Sequence, residues 1–190
     1  MQEEVASFRK LLSAIPDNCP VEIGFADSTQ VYKPSSQDGI QRVTQFVTDV
    51  LPDLRDKNCI CSVYPHVAFI VETVAQSLNI MEACGQNGMK AVASAFHCHL
   101  ADEDWLGAIR KSPHSFQSVS LCGISRPGPV GGYTIEPLGV GSEVNCADAI
   151  QALKDMGYNG WIGLQGYGVE GHSRNILGQS AGELRRCLHG

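Results

Sequence analysis

The feature that most constrains the fold of this chain is a regular alternation of short apolar runs with segments of helical periodicity. Runs such as VEIGFA, CICSVYP and WIGLQ are too apolar to have one wet face, so they are expected to form strands that are buried on both sides. Between these runs, apolar residues return every three or four positions, as in Ile40, Val43, Val47, Val50, Leu51 and Leu54. The alternation predicts a parallel sheet that is covered by helices.

The predicted elements follow one another along the whole chain. Strands are expected at 21–26, 59–65, 91–96, 116–123 and 161–165, with a further short one near 137 and a tail helix near 181–188. The segment 125–141 holds three prolines and five glycines, which predicts a long loop. Asp102 and Asn145 are expected to cap the helices that follow them, and Gly157 to end the second of these helices.

Two architectures fit this pattern, an open doubly wound sheet and a (β/α) barrel. No GxGxxG motif follows any of the predicted strands, so a dinucleotide-binding sheet has no positive support. Composition and periodicity leave the choice between the two open.

Composition and charge exclude several classes of function. The net charge is −6 and the basic residues are scattered, so nucleic acid is not an expected partner. The chain lacks the roughly 18 consecutive apolar residues of a membrane helix, and its first residues do not resemble a secretory signal, which predicts a cytoplasmic protein. The eight cysteines form no CxxC pair and are expected to be reduced and buried.

Polar residues cluster where the predicted strands end. Tyr64 and His66 end one strand, and Gln165 and Tyr167 end the last. Because parallel strands deliver their carboxyl ends to one rim, we expect His66, His99 and Gln165 to surround a common opening. The alternative interpretation of each histidine is a structural residue that is held by hydrogen bonds, and that of Gln165 is a surface residue without a role in binding.

His97 and His99 are predicted to continue the strand 91–96. Residues two apart in a strand project to the same face, so this pair could share a metal ion or a substrate oxygen. Tyr133 and the loop around it are expected either to cover the opening as a lid or to be simply mobile.

Together with the residues at the predicted strand ends, the last quarter of the chain resembles a known protein family. The segment 137–168 is similar to the closing βα unit of xylose isomerase-like TIM-barrel proteins, a family that includes sugar phosphate isomerases and epimerases. The similarity is carried by the PLGVG turn, the GYNG turn and the strand IGLQ. The motifs YPH and GLQGYG resemble a subgroup that is typical of planctomycete-type bacteria.

The resemblance implies an α/β fold, with residues 1–190 forming a single incomplete (β/α)8 TIM barrel that lacks the first two βα units. It also implies a small sugar or sugar phosphate as the ligand, with His66, His99 and Gln165 as catalytic residues and Tyr64, His97 and Tyr167 in contact with the substrate. A homo-oligomer is expected to cover the open edge of the barrel.

The family's metal site is incomplete in this sequence. The family holds a divalent cation with carboxylates and a histidine, whereas the matched positions here are Tyr64, Phe96 or His97, Ser118 or Ser120, and Gln165. A neutral amide binds hard cations weakly and is not a general base. If a metal binds, zinc or manganese is expected, with His97 and His99 as candidate ligands.

Two hypotheses for the function follow from the resemblance. The first is a sugar isomerase or epimerase, and the second is a catalytically degenerate carbohydrate-binding protein or an inactive barrel fragment. Whether the chain is an enzyme is left open between them. A DNA-repair phosphodiesterase with the same fold is disfavoured, because its metal ligands and basic surface are missing.

Overall fold

A computed structural model describes residues 2–141 and 143–189 of the chain. The expected domain 1–190 therefore includes three residues that lie outside the described part, Met1, Ser142 and Gly190. The chain divides after Val92 into two compact units. In both units parallel strands alternate with helices, as the sequence predicts.

The described residues of the first unit form a parallel pair of strands and three helices. The strands are β1 (Pro20–Ile23) and β2 (Ile60–Val63), paired with Val21 opposite Cys61. The helices are α1 (Gln2–Leu12), α2 (Gln37–Asp56) and α3 (Val74–Ala83). The apolar stripe of α2 is buried as predicted, in a core formed with both strands and the other two helices.

A capping box begins α3 in this unit. The Thr73 side chain accepts a hydrogen bond from the backbone N–H of Gln76, whose own side chain accepts from the backbone of Thr73. This cap explains why the helix begins at Val74.

The second unit has a three-stranded sheet, a hairpin and four helices among its described residues. Its sheet has the order β3 (Ala91–Ser94), β4 (Phe116–Leu121), β7 (Trp161–Leu164), and β3 begins just before the division. The hairpin consists of β5 (Gly123–Val130) and β6 (Tyr133–Glu136). The helices are α4 (Ala95–Leu100), α5 (Trp105–Lys111), α6 (Cys146–Asp155) and α7 (Ser173–His189), and a 3-10 turn spans Pro113–Ser115.

Strands β4 and β7 run parallel and present two different faces. Val119 lies opposite Ile162 and Leu121 opposite Leu164, so these four apolar residues share one face. The other face carries Ser118, Ser120, Trp161 and Gly163, and we call these four residues the polar face. Trp161 is 74% exposed there, whereas the sequence analysis expected buried strands throughout.

The segment 125–141 was predicted to be a loop, and this prediction is wrong for most of it. Val130 pairs with Tyr133, and the two residues between them, Gly131 and Gly132, have φ values of 57° and 83°. Positive φ at both positions is what a tight two-residue hairpin turn requires. A Cβ at Gly128 would lie 2.0 Å from the carbonyl carbon of Tyr133, so a side chain there would block the pairing.

Helix boundaries differ from the predictions at two further places. The cap of α5 is Asp104, which accepts from the N–H of Gly107, and not Asp102. The tail helix α7 is longer than predicted, because it begins at Ser173. Asn145 caps α6 as expected, and Gly157 has the positive φ of a helix C-terminus, 68°.

Candidate functional site

The end of β2 places Tyr64 and His66 next to each other. The Tyr64 N–H donates to the carbonyl oxygen of Ile23, and the ring centroids of Tyr64 and His66 lie 6.3 Å apart. His66 Nδ1 lies 2.6 Å from the carbonyl oxygen of Val67. A carbonyl oxygen only accepts, so Nδ1 is the donor in this contact.

The ring of His66 is also fixed by stacking. It lies on the ring of Phe69 with centroids 4.1 Å apart and an interplanar angle of 23°. The His66 N–H donates to the carbonyl oxygen of Val71, which anchors the backbone. His66 is thus held in one orientation, as a general base must be.

The two histidines after β3 do not extend that strand. β3 ends at Ser94 and α4 begins at Ala95, so His97 and His99 are helical residues. Residues two apart in a helix are separated by roughly 200° around its axis, so the expectation that both rings share one face is wrong. His97 is only 4% exposed, and its ring packs edge-on against Phe96.

His99 contacts the hairpin. Its ring packs edge-on against that of Tyr133 with centroids 4.8 Å apart, and the guanidinium of Arg126 lies 4.1 Å from the centroid of the Tyr133 ring. His99 Nε2 is buried and has no hydrogen-bond partner among the described residues. Tyr133 was expected to act as a lid or to lie in a mobile loop, and it belongs to a paired strand.

Gln165 follows β7 and is held by the neighbouring strands. Its N–H donates to the carbonyl oxygen of Leu121, which extends the ladder by one residue. Its Oε1 accepts a 2.9 Å hydrogen bond from Oγ of Ser94, a fully buried residue at the end of β3. Tyr167, two residues further on, is 81% exposed.

The sequence analysis did not select Ser94. It extended the strand to Phe96, which put Ser94 in the middle of a strand rather than at its end. Ser120 entered only as a position that matches a family ligand. Its Oγ is buried, and no described residue hydrogen-bonds to it.

Two thiols of the second unit, those of Cys98 and Cys122, are buried in surroundings that disfavour the reactive thiolate. Burial raises the pKa of Cys122 to about 12, and burial likewise raises the pKa of Cys98. All eight cysteines are free, but the expectation that they are buried is wrong for Cys19, Cys84 and Cys187, which are only partly buried. A nucleophilic role for these two thiols therefore has no support.

The structure brings some predicted site residues together within each unit. Tyr64 adjoins His66 in the first unit, and in the second unit Gln165 is joined to Ser94 and His99 to Tyr133. The expectation that His66, His99 and Gln165 surround one opening stays a prediction. Over residues 2–141 and 143–189, no three His, Cys, Asp or Glu side chains are grouped so that they could hold a metal ion.

Several solved structures have a fold similar to that of this chain. One is a xylose isomerase domain protein from Planctomyces limnophilus, with a TM-score of 0.68 and 15% identity over 98% of this chain and 64% of that one. Another is the D-psicose 3-epimerase of Clostridium cellulolyticum H10 with D-tagatose, with a TM-score of 0.66, 15% identity and coverage of 98% and 68%. This chain has the fold of a xylose isomerase-like TIM barrel.

An AP endonuclease of family 2 from Brucella melitensis is also similar, with a TM-score of 0.59 and 16% identity over 75% of this chain and 54% of that one. The chain spans 58% of the length of a similar L-ribulose 3-epimerase. The prediction of an incomplete TIM barrel is therefore confirmed, while the planctomycete-type subgroup and the loss of the first two units stay predictions.

No protein-family model and no curated protein matches the chain. No helix of the described residues combines the length and the apolar character that crossing a membrane requires.

Proposed function

We propose that this chain binds a small sugar or sugar phosphate at the carboxyl ends of its strands and acts as an isomerase or epimerase. The observation that carries the proposal is the hydrogen bond between Ser94 and Gln165, which fixes a polar amide at the ends of β3 and β7. In parallel α/β folds this is the edge at which ligands bind. Several similar structures are named as sugar epimerases, which supports the choice of ligand.

In the proposed reaction a proton leaves one carbon of the sugar and returns to the same or a neighbouring carbon. His66 and His99 are the proposed acid and base, because each ring is oriented by a stacking or edge contact. Gln165 is proposed to hold the sugar by a hydrogen bond, and Tyr64, His97 and Tyr167 to line the same rim. No proton shuttle between two carboxylates is part of this mechanism.

The divalent cation of the family does not fit the residues present. The amide oxygen of Gln165 accepts from Ser94, and His97 and His99 lie on different sides of α4. The described residues contain no group of three suitable side chains. We therefore derive no step through zinc, manganese or another metal.

The second candidate function is sugar binding without turnover. It is favoured by the absence of a carboxylate at the matched positions Tyr64, Phe96 or His97, and Gln165, because the family's proton shuttle between carboxylates is then missing. The two candidate functions use the same binding site and differ only in whether the bound sugar is converted to a product.

One experiment separates them. The purified chain is titrated with ketoses and ketose phosphates by calorimetry, and each sugar that binds is incubated in D2O and followed by proton NMR. We expect binding, with solvent deuterium entering the sugar if the chain is an isomerase or epimerase. His99→Ala should abolish the exchange, and His114→Ala is the matched control, because His114 is an exposed histidine after α5.

Binding without exchange would favour the second candidate, and it would exclude the first. If no sugar of the panel binds, both candidates are wrong.

A further inference from the structure

We infer that Gln165 acts on its ligand as a hydrogen-bond donor, and that the ligand is an uncharged sugar held through an acceptor oxygen and without a cation. The inference rests on the proposed function and specifies the ligand of the same site. It makes Ser94 a positioning residue, because Ser94 decides which end of the Gln165 amide faces the ligand.

The orientation of the amide follows from its hydrogen bond. A glutamine side chain ends in one acceptor oxygen and one NH2 group with two donor hydrogens. The oxygen of Gln165 accepts from Ser94 Oγ at 2.9 Å, and Ser94 is fully buried, so the bond is shielded from water. The NH2 group receives no acceptor from the described residues and is left for the ligand. A hard cation binds oxygen ligands, and here the amide oxygen is directed at Ser94.

A second donor lies on the neighbouring strand. Ser120 is on β4, and its partner in the ladder is Gly163, two residues before Gln165. Side chains two apart on a strand share a face, so Ser120 and Gln165 lie on the same side of the sheet. The buried Oγ of Ser120 lacks a hydrogen-bond partner, which is costly unless something binds to it.

The neighbouring glycine leaves space for a ligand beside Ser120. The atoms nearest to a Cβ at Gly163 would be those of Ser120 and the Val119 carbonyl oxygen, all at 3.9 Å, so a Cβ fits there at ordinary contact distances, and Gly163 itself is exposed. A sugar oxygen placed between these strands would accept from both the amide and the hydroxyl. We call two residues of the polar face, Ser120 and Gly163, together with Ser94 and Gln165 the donor site.

The donor site is uncharged, which limits the class of ligand. None of its four residues is ionisable at neutral pH, and the net charge of the chain is −6. A carboxylate or phosphate group would lose its hydration without gaining an opposite charge. The geometry therefore favours a carbonyl, ring or hydroxyl oxygen of a neutral sugar.

The decisive test is Gln165→Glu, measured by calorimetry with the full chain. The probes are D-fructose, D-psicose, D-tagatose and D-sorbose, each in EDTA and in excess Mn2+. Glutamate has the same shape and can still accept from Ser94, but it puts an acceptor where the NH2 group was. We expect the variant to bind at least roughly tenfold more weakly than wild type, because a site built for one hydrogen-bond partner rejects its opposite strongly. Wild-type affinity should be the same in EDTA and in Mn2+.

Gln179→Glu is the matched control, because Gln179 is an exposed glutamine of α7. It makes the same change of charge and should leave the affinity unchanged. Unchanged or tighter binding by Gln165→Glu, or wild-type binding that requires Mn2+, would overturn the inference while leaving sugar binding intact. If the wild-type chain binds none of the four sugars in either buffer, the inference and the proposed function are both wrong for uncharged ketoses. If it binds ketose phosphates and none of the four sugars, only the inference is refuted.

A second measurement tests the role of Ser94. In Ser94→Ala the amide of Gln165 is free to turn, so the effect of Gln165→Glu should be several-fold smaller in that background than in wild type. A purely structural role of Ser94 would give additive effects in this double-mutant cycle. Additivity, with both single variants folded by circular dichroism, would remove Ser94 from the proposal.

Discussion

Strands β2 and β7 make an instructive comparison, because both are four-residue parallel strands that are followed by polar residues. In β2, Cys61, Ser62 and Val63 are all buried, so both faces of the strand are covered. In β7, exposure alternates along the strand, and Trp161 and Gly163 are open to solvent. The two strands therefore differ in how much of their surface a ligand or partner could reach.

The polar groups that follow these strands differ in the same way. Nδ1 of His66 is directed at a backbone carbonyl, and its ring stacks on Phe69. The amide of Gln165 uses only its oxygen within the chain and keeps two donor hydrogens for a ligand. A polar residue at the end of a strand is therefore not available for binding by its position alone. Its availability depends on which of its polar atoms already have partners within the chain.

The largest expected difference between the two strands is in thiol reactivity. Burial raises the pKa of Cys61 in β2 to about 12, so almost none of this thiol is ionised at about pH 8. A thiol placed on β7 by Gly163→Cys would be exposed and should titrate normally. We expect iodoacetamide to alkylate the introduced cysteine roughly a thousandfold faster than Cys61, measured by peptide mass spectrometry.

In urea both thiols should react at the same rate, because the shift at Cys61 comes from burial. Comparable rates in the native protein would mean that β2 is not covered on both faces. The raised pKa also means that the neutral thiol stabilises the fold below about pH 9, and that this contribution is lost as the pH rises towards the folded pKa.

A charge introduced into each strand should have the next largest effect. Val63→Asp would bury an unpaired carboxylate in β2 and should lower the free energy of unfolding by at least about 3 kcal/mol. Gly163→Asp adds the same charge to the exposed face of β7, where a Cβ meets no atom closer than 3.9 Å. It should change the free energy of unfolding by less than about 1 kcal/mol.

Urea denaturation of both variants measures this difference, with Gly163→Ser as the control for the loss of glycine. If Gly163→Asp destabilises the chain as much as Val63→Asp, the polar face is covered in solution.

The smallest expected effect concerns Trp161 and self-association. β7 is an edge strand of its sheet, and edge strands with exposed aromatic residues tend to pair with other chains. We propose that a second copy of the chain covers this edge. Trp161→Ala should shift the sedimentation profile towards the monomer and change the unfolding free energy of the monomer by less than about 0.5 kcal/mol.

Leu177→Ala is a suitable control, because Leu177 is an exposed apolar residue of α7 rather than of the sheet. A wild-type protein that sediments as a monomer at all concentrations would contradict the proposal.

The fold was largely predictable, because it depends on periodicity. The apolar stripe of α2 follows from a period of 3.6, and the parallel strands β2 and β4 follow from short apolar runs. The hairpin β5–β6 was missed, because glycine and proline usually mark loops. Here Gly128 permits close strand pairing and Gly131 and Gly132 form the turn, and spacing along the chain does not distinguish these roles from those of a mobile loop.

The site was less predictable, because it depends on where β3 ends. The predicted strand included Ala95 and Phe96, whereas in the structure these two residues begin α4. This difference of two residues puts His97 and His99 in a helix. It also puts Ser94 at the end of the strand. Strand boundaries are less marked in a sequence than strands themselves, since apolar residues stand on both sides of Ser94 in AVASAF. The partner of Gln165, 71 residues away in the chain, has no local signal.

The two glycines of the hairpin turn have unequal surroundings, and this matters for engineering the protein. A side chain at Gly131 would come within 2.9 Å of Leu100, whereas at Gly132 it would meet nothing. An affinity tag or reporter peptide inserted after Gly132 would therefore extend into open space. Because Tyr133, the next residue, packs on His99, such a reporter would be attached close to a proposed catalytic side chain and could signal its occupancy directly.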